Sequence, residues 1–190
     1  MAAVTDAVCG FATGRACPWM FAVVEPWLPA GAADVLRKHG LQPAMHVTYM
    51  TATALEPPVR PEPSLEFRLI DSKALARLCM DMNCESYEIS LDRGPSYGYI
   101  AYLDGVPVST ATTLVDDDCL NSICVATPVK HRGKGYAEAV LRHSVNEAKK
   151  ASGRSHFVLH ASDAGYPIYK RMGYEPEVSM MIWALAHHEG

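Results

Sequence analysis

The stretch Val-Lys-His-Arg-Gly-Lys-Gly-Tyr-Ala, from Val129 to Ala137, combines residue types that can hold an anion. Gly133 and Gly135 let a backbone approach a bulky phosphate with no Cβ in the way. Lys130, Arg132 and Lys134 add positive charge around them. Downstream, Ala137, Leu141, Ser144 or Val145, and Ala148 recur at helical spacing until Gly153, which predicts a helix of about four turns. Upstream, Leu120 to Ala126 reads as a strand, and Pro128 forbids its continuation as a paired central strand. The loop therefore leads into a helix N-terminus, where the first amides lack internal partners and the macrodipole is positive. Between Pro128 and Arg154 there are seven Lys and Arg and two Glu; seven minus two leaves +5 in a chain of net charge −4.

Two common nucleotide loops do not fit. A Walker-type loop needs Gly-Lys-Ser or Gly-Lys-Thr after a four-residue gap, and neither is present. A dinucleotide-binding Gly-x-Gly-x-x-Gly begins at Gly133 and Gly135 but meets Glu138 at its third glycine. Six cysteines, Cys9, Cys17, Cys79, Cys84, Cys119 and Cys124, form no Cys-x-x-Cys pair and read as reduced, packed thiols. Cys119 or Cys124 with a histidine would make a thiol-dependent amidase, a competing reading that needs no phosphate loop. The eight histidines suggest no metal site. His187 and His188 sit in a tail, His131 in the glycine loop, and His39 with His46 matches no zinc spacing.

The elements that must position the loop follow from the surrounding pattern. Pro57, Pro58, Pro61 and Pro63 make residues 55–64 a stiff, extended linker. Before it, Phe21 to Trp27 predicts a strand, Ala32 to His39 a helix stopped by Gly40, and His46 to Ala54 a second strand. Residues 1–54 are too few to hold much of a core. They are expected as a strand-helix-strand appendage, a remnant of a second domain, beside a main domain at 65–190. There, Leu65 to Ile70 reads as a strand and Asp71 as the N-cap of a helix from Ser72 into the Met80 region. Tyr97 to Leu103 and Pro107 to Leu114 flank Asp104-Gly105, a strong hairpin signal. Asp116 to Asp118 is an acidic turn, and His156 to Ala161 a later strand.

Bulk composition excludes several classes. Apolar content of 49% with 20% charged residues is that of a globular chain. A net charge of −4 disfavours a nucleic-acid partner. No run of about 18 apolar residues is present to span a membrane. Trp19 to Trp27 is broken by Glu25 and Pro26 and preceded only by Arg15, a poor secretion signal, so a cytoplasmic protein is expected.

Val125 to Ala137 resembles the cofactor-binding motif of the GNAT superfamily of N-acetyltransferases, written Arg or Gln, two variable residues, Gly, one variable residue, then Gly or Ala. Arg132, Gly135 and Ala137 meet it. After the strand at His156 to Ala161, the segment from Ser162 to Tyr174 resembles the family's strand-then-helix segment ending in Tyr, two or three variable residues, and Gly-Phe or Gly-Tyr. Those residues are Tyr169, Gly173 and Tyr174. The resemblance covers roughly residues 65 to 185, and residues 1–60 lie outside it. It implies an α/β fold (an α+β mixed sheet flanked by helices) whose two central parallel strands splay apart, plus the small N-terminal appendage.

The resemblance also implies a chemistry. Acetyl-CoA would lie between the splayed strands, with the main chain of Ile123, Cys124 and Val125 on the pantetheine and thioester carbonyl. Lys130, His131, Arg132, Gly133, Lys134, Gly135, Tyr136 and Ala137 would hold the pyrophosphate, and Ser162 and Tyr166 would touch the cofactor from the second helix. An amine acceptor attacks the thioester directly, and Tyr169 protonates the departing thiolate as general acid. Tyr169 also reads as a core aromatic beside Ile168 and Met172. No general base is assigned: Cys119 stands about where relatives carry Glu, Asp118 belongs to a solvated turn, and Glu85 and Glu88 are weak alternatives. The acidic turn would favour a cationic acceptor such as a polyamine or aminoglycoside. A non-catalytic acyl-CoA-binding module is the alternative, and a homodimer is one assembly left open.

Overall fold

The computed structural model describes residues 6, 20–87 and 96–185. In chain order the elements are β1 (Met20–Val24), α1 (Ala32–Lys38), β2 (Leu41–Ala52), β3 (Glu66–Leu69), α2 (Lys73–Tyr87), β4 (Ser96–Leu103) and β5 (Val106–Val115). They continue with β6 (Leu120–Ala126), α3 (Tyr136–Ser152), β7 (Phe157–Ser162), α4 (Tyr166–Arg171) and β8 (Glu175–Leu185). Eight strands hydrogen-bond in the order β1-β8-β2-β7-β6-β5-β4-β3. The sheet is mixed, because β6 and β7 run parallel while β3 to β6 pair antiparallel in sequence. This is the expected α/β architecture.

The chain divides into two compact units. One holds the described residues up to Tyr49, with Ala161–Tyr166 and the described residues from Pro176 onward. In it, β1 pairs antiparallel with β8, from Met20↔Ala184 to Val24↔Met180. Val23, Leu36, Leu41 and Trp183 form its buried cluster, with Phe21, Leu28, Ala33 and Met181 packed around them. α1 opens after Gly31 and stops at Gly40, both in the left-handed region at φ 80° and 79°, where a glycine carries no Cβ penalty. Glu25 to Trp27, expected as strand, instead tightens into a 3-10 turn with Pro26 near its start, where its missing N–H costs nothing.

The second unit, Met50–His160 with Pro167–Glu175, carries the glycine loop. Its β4–β5 hairpin turns on Asp104 and Gly105 at φ 50° and 79°, the two positive values a type I′ turn requires. α2 and α3 lie on opposite faces of β5. Thr110 Oγ1 meets Cys79 Sγ of α2 at 3.1 Å, whereas Thr113 Oγ1 meets Ser144 Oγ of α3 at 2.7 Å. Three residues apart on a strand, those side chains must point oppositely. α3 buries Val140, Leu141 and Val145 completely, each stabilising by about 1.5–3 kcal/mol relative to exposure. Gly153 closes the helix at φ 74°, its N–H on Lys149 O at 2.8 Å.

Three readings differ in detail. The cap of α2 is Ser72 rather than Asp71: its Oγ accepts from Leu75 N at 3.3 Å, satisfying an end amide, and the helix runs on to Tyr87. β2 starts at Leu41, five residues before His46, and tolerates Pro43. β8 was not expected as a strand. Five consecutive residues, Val178 to Ile182, are all half-buried, so the in-out alternation that marks a strand is missing there.

Candidate functional site

β6 and β7 pair in parallel from Leu120↔Phe157 to Ser122↔Leu159, and the register ends there. Ile123 onward and His160 continue the two strands past the last pair, so the sheet opens between them. β6 is also bulged against β5: between Thr110↔Ala126 and Thr112↔Ile123, two steps on β5 face three on β6. Cys124 occupies the bulge at φ 52°. A non-glycine residue held there costs about 1–2 kcal/mol. The bulge turns the local peptide groups out of the ladder.

The exit of β6 is pinned by side chains. Ser109 Oγ donates to Ala126 O at 3.0 Å and pairs with Thr127 Oγ1 at 2.8 Å. Pro128 then diverts the chain into a 3-10 turn over Val129–His131. Arg132 is extended and donates Nε back to Thr127 O at 3.0 Å. Gly133 and Gly135 follow at φ 78° and 81°, and Gly135 is the residue that opens α3. The first N–H bonded within the helix is that of Ala139, to Gly135 O at 3.1 Å, so the amides of 136–138 have no internal acceptor.

Two observations fit this loop to a bulky anion. A Cβ built on Gly133 or Gly135 meets no atom within 4 Å, so space over the loop is open. His131 carries a buried Nε2 with no hydrogen-bond partner. Lys130, Arg132 and Lys134 are exposed around it, while Tyr136 is buried and Ala137 half-buried at the start of α3. The pyrophosphate of an acyl-CoA suits that combination of amides, cations and room.

The described thiols are all shifted toward the protonated form. Burial, reinforced by the nearby Cys79, pushes the Cys124 thiol up to about 11. Cys79 is raised by burial as well, and Cys119 by burial together with Asp116 and Asp118. A thiol held protonated is a poor nucleophile, which weighs against a thiol-dependent amidase. Among the described residues no group of three His, Cys, Asp or Glu could hold a metal ion. Cys9, Cys17, Glu88, His187 and His188 lie outside the described residues, and so do the side chains of Cys84 and Glu85.

Tyr169 is buried in α4, with its ring edge-on to Tyr174 at 6.1 Å between centroids. The C-terminal end of that helix is fixed by Tyr174 N on Tyr169 O at 3.0 Å and by Glu56 N on Met172 O at 2.9 Å. Ser162 and Tyr166 belong to the other compact unit. Ser162 closes a turn there, accepting Gly165 N on its carbonyl at 2.9 Å and on Oγ at 3.3 Å.

A family model described as an acetyltransferase (GNAT) domain matches residues 71–181. The chain belongs to the GNAT family. The fold agrees: a GCN5-related N-acetyltransferase from Kribbella flavida superposes with a TM-score of 0.66 at 22% identity, over 89% of this chain and 68% of that one. A GCN5-related N-acetyltransferase-like protein from Streptococcus suis gives 0.60 at 17% identity, over 82% and 68%. None of the curated proteins compared with the chain matches it in sequence. No helix among the described residues is long and apolar enough to cross a membrane.

Within this GNAT chain, one unit gathers Ile123, Cys124, Val125, Lys130 to Ala137 and Tyr169. Sequence reasoning missed two features of the opening. Cys124 gives no hint of a positive φ, because nothing in its side chain asks for one. His160 is a polar residue after the apolar run Phe157-Val158-Leu159. That break in a buried strand was the available signal.

Proposed function

We propose that the chain moves an acetyl group from acetyl-CoA to a primary amine of a small molecule or protein, by direct attack and without a covalent enzyme intermediate. The observation that carries this reading is the opening past Ser122↔Leu159 beside a bulged β6. Peptide N–H groups at the bulge are suited to the oxygen that gains charge as the amine adds to the thioester carbonyl. Pyrophosphate binding falls to the amides from Arg132 to Ala137. Tyr169 donates its phenolic proton to the leaving sulfur, a role that adds no charge to a buried site. The acidic turn at Asp116–Asp118 favours a cationic acceptor, and the cytoplasm is the compartment that supplies acetyl-CoA to such an enzyme.

Calorimetric titration with acetyl-CoA tests the reading, with Gly135→Glu as control. Micromolar binding that the substitution abolishes is expected; no binding by the unaltered protein sinks the proposal. A non-catalytic acyl-CoA-binding module is the second reading. It is favoured by Cys119, which stands where relatives carry a glutamate and is held protonated. Acetyl-CoA binding without turnover of any amine would select it.

A further inference from the structure

The acyltransferase reading leaves open which group takes the proton of the acceptor. An alkylamine is an ammonium ion near neutral pH and must lose that proton before its nitrogen can attack. His160 lies at the opening between β6 and β7. Leu159 is the last residue of β7 paired with β6, so His160 is the first on its strand to face the opening.

Its face of the sheet is also defined. Phe157 lies beneath Lys149 of α3, whose Nζ is 5.7 Å from the ring centroid. Strand alternation puts Val158 and His160 on the other face. That is the face on which Thr110 meets Cys79 of α2. Asn83, one turn along α2 from Cys79, donates Nδ2 to Cys79 O at 2.8 Å, which leaves its buried Oδ1 without a donor. Asn121, beside Val158 in the register, also has a buried Oδ1 without a donor. This face thus offers acceptors and neutral groups and no fixed cation among the side chains named.

We infer that His160 is the general base of the acyl transfer, taking the proton of an ammonium-type acceptor at the opening of β6 and β7. The inference rests on the acyltransferase reading. The proton balance closes. His160, an exposed residue, accepts one ammonium proton and passes it to water. The free amine adds to the carbonyl, the C–S bond breaks, and sulfur takes the Tyr169 proton. Nitrogen loses a second proton, which restores Tyr169 through solvent, and keeps one as the amide N–H. Although water reaches it, His160 sits deep enough that desolvation lowers its pKa. A neutral imidazole is the form a base requires.

The test compares two nucleophiles, benzylamine, an ammonium ion near neutral pH, and hydroxylamine, largely uncharged there, by following CoA release from acetyl-CoA. In His160→Gln, acetyl-CoA affinity measured calorimetrically should stay near that of the unaltered protein. Turnover of benzylamine should fall on the order of 10²-fold, while turnover of hydroxylamine stays nearly unchanged. Added imidazole should restore benzylamine turnover in His160→Ala. An equal loss with both nucleophiles, or no loss with either, overturns the base assignment. Acetyl-CoA binding without turnover of either nucleophile by the unaltered protein removes the base together with catalysis. Absence of acetyl-CoA binding instead overturns the acyltransferase reading itself. Should His160→Gln bind acetyl-CoA poorly, an NMR titration of His160 in the unaltered protein decides: an imidazole pKa at or above the ordinary value overturns the assignment, and one below it supports it.

Discussion

Gly135 and Gly173 share a left-handed backbone, φ 81° and 96°, yet they answer opposite demands. Over Gly135, as over Gly133, an added Cβ would meet nothing within 4 Å. At Gly173 it would lie 3.0 Å from Glu56 Cγ, 3.2 Å from Ala54 O and 3.3 Å from Glu56 N. The first pair keeps a surface bare, as an approaching anion needs. The third lets two stretches of backbone cross, so that the start of the proline-rich segment can bond Met172 O at the end of the Tyr169 helix. The same residue type marks open space in one place and its absence in the other. Only what lies opposite tells them apart.

Breaking the crowded side of that contrast should have the largest effect. Gly173→Val combines a disfavoured φ with a backbone clash that no rotamer relieves. It should lower stability by about 3 kcal/mol or more, read from urea unfolding at equilibrium. A loss below about 1 kcal/mol would mean that the linker simply shifts aside. Next in size is Tyr169→Phe, which keeps the ring packing against Tyr174 and removes only the proton donor. Turnover should drop on the order of 10²-fold while acetyl-CoA affinity holds; unchanged turnover would return Tyr169 to the core.

The open side should respond more mildly in stability and more sharply in binding. Gly133→Ala meets no atom and should cost about 1–2 kcal/mol through its backbone alone. Calorimetry should show acetyl-CoA affinity falling by about tenfold, as a Cβ enters the ligand's space. If Gly173→Ala weakened binding just as much, the distinction between the two glycine sites would collapse.

The smallest expected effects concern titration. His143 stacks on Phe67 at 4.3 Å and meets Tyr99 edge-on at 4.4 Å, and burial lowers its pKa. The unfolded chain then binds its proton more readily, so stability is lost as pH falls through the ordinary imidazole value. His46 lies between Glu25 and Asp163, at 3.3 and 3.1 Å, and its hydrogen bond to Asp163 raises its pKa. Its contribution is present below the ordinary value and fades as pH rises through the raised one. Urea midpoints across pH should lose the acid-side slope in His143→Phe and the alkaline-side slope in His46→Gln. Identical profiles in both variants would sink the assignment.

Much of the main unit was legible because its signals are local. The Asp104-Gly105 turn, the β6 boundary at Ala126 and the helix closed by Gly153 each depend on a few neighbouring residues with strong conformational preferences. The glycine loop was legible for the same reason. Residues before the linker were harder. β1 finds its antiparallel partner in β8, more than 150 residues away, and β8 lacks alternation over Val178 to Ile182, which are all half-buried. The cap of α2 shows the limit at short range. Asp71 and Ser72 are both good caps by type, and only the geometry of Leu75 N chooses Ser72.

By itself the sequence determined which segments become strands and helices near the loop, where glycine is required, and where positive charge gathers. Those properties belong to a residue and its near neighbours, and backbone sterics and charge act there without help. The tertiary structure alone decided where the parallel register of β6 and β7 stops, how Cys124 is forced to a positive φ, and which residue first faces the opening. These depend on β5, β6, β7 and two helices packing at once, and no short stretch of chain contains the atoms that settle them.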